Sequence, residues 1–131
     1  MDINFPAVIV AAVAAFLVGG LWYSPLVFQK AWMTANRFTD ADVNAGGTGR
    51  IFGWSLVLCV VMALNLAAFL AGPDTTVAWG ATAGALTAGW IAPGIAVVAL
   101  FERRPLSYML INGGYWLVAM TLMGTVIGAR R

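Results

Sequence analysis

Ala99–Trp116 reads ALFERRPLSYMLINGGYW, and three adjacent charges, Glu102, Arg103 and Arg104, stand in it between two apolar runs. The chain has 131 residues, of which 62% are hydrophobic and only 9% are charged. A soluble domain carries roughly 25% charged residues. A cluster of three is therefore a marker of place. Working outward from it, no Asp, Glu, Lys or Arg occurs in 3–29, 51–73, 75–101 or 105–129. Each of these windows is longer than the roughly 20 apolar residues that carry a helix across a bilayer. The fold class is all-α: an integral membrane four-helix bundle in one domain. The spans are expected at about 5–26, 51–71, 76–100 and 105–129, with a linker at 27–50.

The first window is not read as a cleaved signal peptide. It lacks a basic start, and its apolar run exceeds the usual roughly 7–15 residues. Pro25 in YSP ends the first span, because proline disfavours helix at the residue before it. In the linker, Phe28 and Trp32 lie one turn apart with Lys30 and Arg37 on other faces, which suggests a short interfacial helix; an irregular loop is the alternative. FTDADV reads as a helix start with Thr39 as N-cap, and AGGTG as its stop. The turn AGPDTT, with Asp74 or Thr75 as cap, makes the second and third spans antiparallel neighbours. Pro105 is expected as the first residue of the fourth.

Four crossings put Lys30, Arg37, Arg50, Arg103 and Arg104 on one side, and only Arg130 and Arg131 on the other. Basic residues concentrate on the cytoplasmic side. The five are topology anchors, and both termini lie outside. For Arg103 and Arg104 an anionic-lipid or partner site stays open.

The spans hold no ionisable relay. Asp, Glu, Lys, Arg and His are absent from the windows, and such residues mark proton and ion pathways. This speaks against a proton-coupled transporter and against acid–base enzymology. No catalytic residue, cofactor or metal is expected, and the loop charges do not suggest nucleic acid. Cys59, the single cysteine, reads as a small packing residue.

Packing chemistry is plentiful. Gly80, Gly84, Ala88 and Ala92 repeat at i+4, as do Ala7, Ala11, Ala15 and Gly19, and the fourth span ends with Gly124 and Gly128. In lipid, small residues let backbones approach. A polar cluster lies about 10–15 Å below the cytoplasmic edge at roughly 1.5 Å per residue; it reads first as interhelical glue, with a small polar niche for a lipid headgroup or an amphiphile as the alternative. Its members are Tyr108, Asn112, Tyr115 and Trp116 on the fourth span, with Ser55 on the second at similar depth. Trp90 and Trp116 both fall near the bilayer middle, about 16 Å deep. At least one indole should face protein, and Asn112 should bond to another helix.

The segments LWYSPLVFQKAWM, FTDADV and ALFERRPLSYMLINGGYWLVAMTLMG resemble the domain-of-unknown-function family 1761 over nearly the whole chain. The matching positions include Trp22, Tyr23, Pro25, Lys30, Trp32, Arg103, Pro105, Asn112, Gly114, Tyr115 and Trp116. The resemblance implies a small multi-pass protein of the bacterial inner membrane and carries no activity. The partners expected are the lipid bilayer and other membrane subunits or a second copy. The leading reading is an accessory subunit or homo-oligomer; the alternative is a carrier or binding protein for a neutral or amphiphilic solute or lipid.

Overall fold

A computed structural model describes residues 2–130; Arg131, counted above among the basic residues, lies outside the described residues. Six helices run α1 (Phe5–Trp22), α2 (Gln29–Asn36), α3 (Asp40–Ala45), α4 (Thr48–Phe69), α5 (Val77–Phe101) and α6 (Leu106–Ala129), and no strand occurs among the described residues. The four long ones, α1, α4, α5 and α6, are the spans. The chain is a multi-pass, all-α membrane protein.

Local chemistry sets the ends. Asn4 caps α1 by accepting from the Ala7 N–H at 3.1 Å, and its amide donates to the Arg130 carbonyl at 2.7 Å. That contact ties the start of α1 to the end of α6. α1 closes at Trp22, short of the expected Leu26, with Tyr23 as C-cap; Pro25 holds Ser24 out of the helical region. Thr39 and Asp42 form a capping box at α3. The cap of α5 is Thr76, which accepts from the Trp79 N–H at 3.0 Å, in place of Asp74 or Thr75. Pro105 is an extended N-cap, and α6 begins at Leu106. The glycine-rich loop breaks the helix only at Gly46 and Gly47; α4 already includes Thr48, Gly49 and Arg50.

The packing order differs from the chain order. α6 lies at the centre, packed along α5 on one flank and α1 on the other, and α4 packs chiefly on α1 with a smaller contact to α6. Consecutive α4 and α5 barely meet, which corrects the expectation that they are packed neighbours. Near their turn, Phe69 and Trp79 approach with centroids 6.3 Å apart. A short turn forces antiparallel direction, but lipid is as apolar as leucine and gives adjacent helices no reason to close. α4 goes where its small residues fit: Cys59, Ala63 and Ala67 are buried, as are Ala11, Ala12 and Ala15 of α1.

α2 folds back onto α6. Its aromatic face is turned to protein: Trp32 meets the Tyr23 ring at 6.0 Å, and Phe28 meets Trp22 at 4.8 Å.

Candidate functional site

The two flanks of α6 are built differently. On the α5 flank, backbones touch. A Cβ added at Gly80 would run into the Gly124 carbonyl, one at Gly84 into the Met120 carbonyl, and one at Gly124 into the Gly80 carbonyl. At the end of the contact, a Cβ on Gly128 would stand 2.7 Å from the Thr76 carbonyl. Ala88 is buried, and half-buried Ala92 lies where a Cβ on Gly113 would meet it at 3.1 Å. Nothing larger than hydrogen fits at Gly80, Gly84, Gly124 or Gly128 without a shift of backbone.

On the α1 flank, large side chains cross the gap. Ala7, Ala11 and Ala15 are buried, with Val8 and Ala12 beside them. Beyond Ala15 the contact changes character. Tyr115, 6% exposed, sends its hydroxyl from α6 to donate to the Ala15 carbonyl at 2.7 Å. It lies over Gly19, where a Cβ would stand 3.1 Å from the Tyr115 oxygen. In return, Trp22 donates its indole N–H to the Ile111 carbonyl at 2.9 Å. Its ring lies on Gly114, where a Cβ would meet it at 3.1 Å. Each helix thus presents a glycine where the other lays down a ring.

The Tyr23 hydroxyl donates to Oδ1 of Asn112 at 2.6 Å, and the Asn112 amide donates to the Tyr108 carbonyl at 2.9 Å. Asn112 is therefore bonded both across the interface and along its own helix. Tyr115 also stands 5.6 Å from Tyr23 and 4.8 Å, edge-on, from Trp116, which packs on the core. Trp90 points away from the protein, 79% exposed. Tyr108 sits nearer the rim with the Arg104 guanidinium 5.5 Å from its ring centre.

Ser55 does not join this group. Its hydroxyl donates to the Ile51 carbonyl of its own helix at 2.7 Å. Equal depth on α4 does not bring it to α6, because α4 packs chiefly on α1. Asn65, Thr82, Thr87, Thr121 and Thr125 bond back into their own helices in the same way. Trp22 and Tyr23 are the members that sequence reasoning did not place in the niche. The echo of Gly19-Gly20-Leu21-Trp22 in Gly113-Gly114-Tyr115-Trp116 hints at a paired role for the glycines and Trp22 but does not reach Tyr23.

Every buried side-chain nitrogen and oxygen among the described residues has a partner. No group of three His, Cys, Asp or Glu stands close enough to hold a metal ion among them. The joint can hold helices and orient rings. Its groups are amide, phenol and indole.

At the rim of this same end, the linker meets the α5–α6 turn. Arg104 reaches Glu102 at 3.9 Å and Asn36 at 3.5 Å. Lys30, Arg37, Arg50 and Arg103 are exposed.

Among known protein families, the model of DUF1761, described as a protein of unknown function, matches residues 6–128. No curated protein and no solved structure gives a match.

Proposed function

The chain belongs to the DUF1761 family, and from that premise we propose that it works by packing, as a homo-oligomer of a bacterial inner membrane joined through the outer face of α5. The observation that carries this is the segment around Trp90. Its indole N–H finds no acceptor among the described residues, and Trp90 lies roughly 16 Å in from the end of α5 at about 1.5 Å per residue. An indole N–H buried away from water calls for an acceptor. One residue before it is Gly89, whose carbonyl receives nothing from Pro93, since proline has no N–H. Gly89 and Gly94 have open space where a Cβ would go. The same face thus offers a donor, an acceptor and room for a close backbone. A face that carries both a donor and an acceptor can pair with its own copy across a two-fold axis.

Native mass spectrometry of the detergent-extracted protein tests the reading. A dimer that Gly89→Leu dissociates, and that Leu58→Ala on exposed α4 leaves intact, supports it. A fixed second protein in place of the dimer moves the reading to an accessory subunit. A bare monomer in lipid overturns both. The carrier alternative has less support, because Trp22, Tyr23, Asn112 and Tyr115 spend their polar atoms on one another and on backbone.

In this reading the five basic anchors face the cytoplasm and both termini lie outside. Arg37→Cys and Arg103→Cys, each in a Cys59→Ser background, then resist impermeant thiol reagents in intact cells. Ready labelling of both reverses the orientation.

A further inference from the structure

α2 and α5 end in the same unusual way. The Arg37 N–H reaches the Thr34 carbonyl at 3.2 Å and the Phe38 N–H the Met33 carbonyl at 2.8 Å. The Arg103 N–H reaches the Leu100 carbonyl at 3.2 Å and the Arg104 N–H the Ala99 carbonyl at 2.8 Å. This paired closure needs a left-handed residue, usually glycine. Here both positions are arginine, each at φ 58°, although a side chain raises the energy of that backbone. Glycine would close either helix at lower cost. What arginine adds is a guanidinium.

The two helix ends stand side by side. Between them is a basin of about 440 Å³, lined among others by Thr34, Arg37, Glu102, Arg103 and Arg104. Glu102 is engaged by Arg104, which Asn36 and Tyr108 also hold. The Arg37 and Arg103 side chains make no ion pair or hydrogen bond among the described residues. Each helix C-terminus contributes roughly half a negative charge. Three guanidinium groups exceed that together with one carboxylate, so the basin is net positive. Phe101 and Leu106, on either side of the turn, are strongly exposed. Those side chains belong among acyl chains, which sets the basin at the level of the lipid headgroups.

We propose that this basin binds a phosphate group through Arg37 and Arg103, with Arg104 as a fixed third charge. The phosphate is that of an anionic lipid headgroup or of a soluble phosphate. Guanidinium matches phosphate oxygens in geometry as well as charge.

The test uses the full chain with two probes. In one arm, protein in mixed phosphatidylglycerol–phosphatidylcholine vesicles is extracted, and retained lipid is read by native mass spectrometry. In the other, inorganic phosphate is titrated against the thermal midpoint in phosphatidylcholine alone. Arg37→Gly and Arg103→Gly are the informative variants, because glycine suits the backbone and the fold should survive or gain. Retention of phosphatidylglycerol over phosphatidylcholine that falls roughly fivefold per arginine removed supports the lipid source. A phosphate-dependent midpoint rise lost in the same variants supports the soluble source. Arg130→Gln, at the opposite end, should change neither. No preference in either arm, or a preference that both glycine variants keep, overturns the proposal.

Discussion

The two flanks of α6 solve one problem in opposite ways. Against α5, glycine meets backbone and nothing crosses the gap. Against α1, rings cross in both directions and end on carbonyls, Tyr115 on Ala15 and Trp22 on Ile111. Lipid supplies no hydrophobic drive between helices, so contact must come from close packing or from polar bonds. The α5 flank uses the first and the end of the α1 flank adds the second. Both need glycine, for different reasons. Gly80, Gly84 and Gly124 remove bulk so that two backbones can touch, whereas Gly19 and Gly114 make seats for a neighbour's ring.

The largest expected effect is on the bare flank. Gly84→Leu should destabilise the protein by roughly 3 kcal/mol, the upper end of overpacking, because the obstacle is a carbonyl that cannot rotate away. Leu86→Ala, two residues on and 60% exposed, should stay within about 0.5 kcal/mol. Detergent-unfolding midpoints compare them, and equal losses would erase the distinction between the flanks. The ring flank should tolerate change better. Tyr115→Phe keeps the ring and loses one bond, and the Ala15 carbonyl retains its place in the α1 ladder. The expected loss is about 1 kcal/mol. A Tyr23→Phe, Asn112→Leu cycle should show a coupling of about 0.6 kcal/mol; none at all would mean that packing alone holds this flank too. The smallest effect lies outside both flanks. The Thr39 amide and hydroxyl bonded to Asp42 hold its carboxyl below the ordinary range. A lowered carboxylate contributes above its unfolded pKa and is lost as pH falls through the folded one. Acid should therefore fray α3, seen in the Thr39 and Asp42 amide shifts, while the α6 contacts stay unmoved. Acid-sensitive shifts at Gly84 or Tyr115 would contradict this, since neither flank holds an Asp, Glu, Lys, Arg or His.

The charge-free windows made the four crossings legible, because a charge within hydrocarbon is costly and leaves a plain trace. The i+4 stripes at Gly80–Gly84 and Ala7–Ala15 were legible for the same kind of reason. The partner of each stripe was not. Adjacency in sequence suggested α4 beside α5, yet the pattern at Cys59, Ala63 and Ala67 belongs with the alanines of α1. Depth placed Asn112 and Tyr115 near each other, but it also suggested Ser55, since depth says nothing about which way a helix turns its face. Trp22 and Tyr23 required knowing that α1 stops at Trp22 and leaves its final rings lying across α6.

The central place of α6 has a consequence for biogenesis. Helices enter the bilayer in the order in which they are synthesised. α1 and α4 can pair as soon as both have arrived. α5 cannot dock on them, because its contact surface matches α6 and hardly touches α4. Until the fourth crossing is inserted, α5 waits in lipid with its glycine face bare. Both sets of contacts, rings on α1 and backbone on α5, become available only with that one incoming helix. A chain interrupted between Phe101 and Leu106 would keep a paired α1 and α4, with α5 held to them only through its turn and the Phe69–Trp79 contact, an exposed helix for quality-control proteases to find.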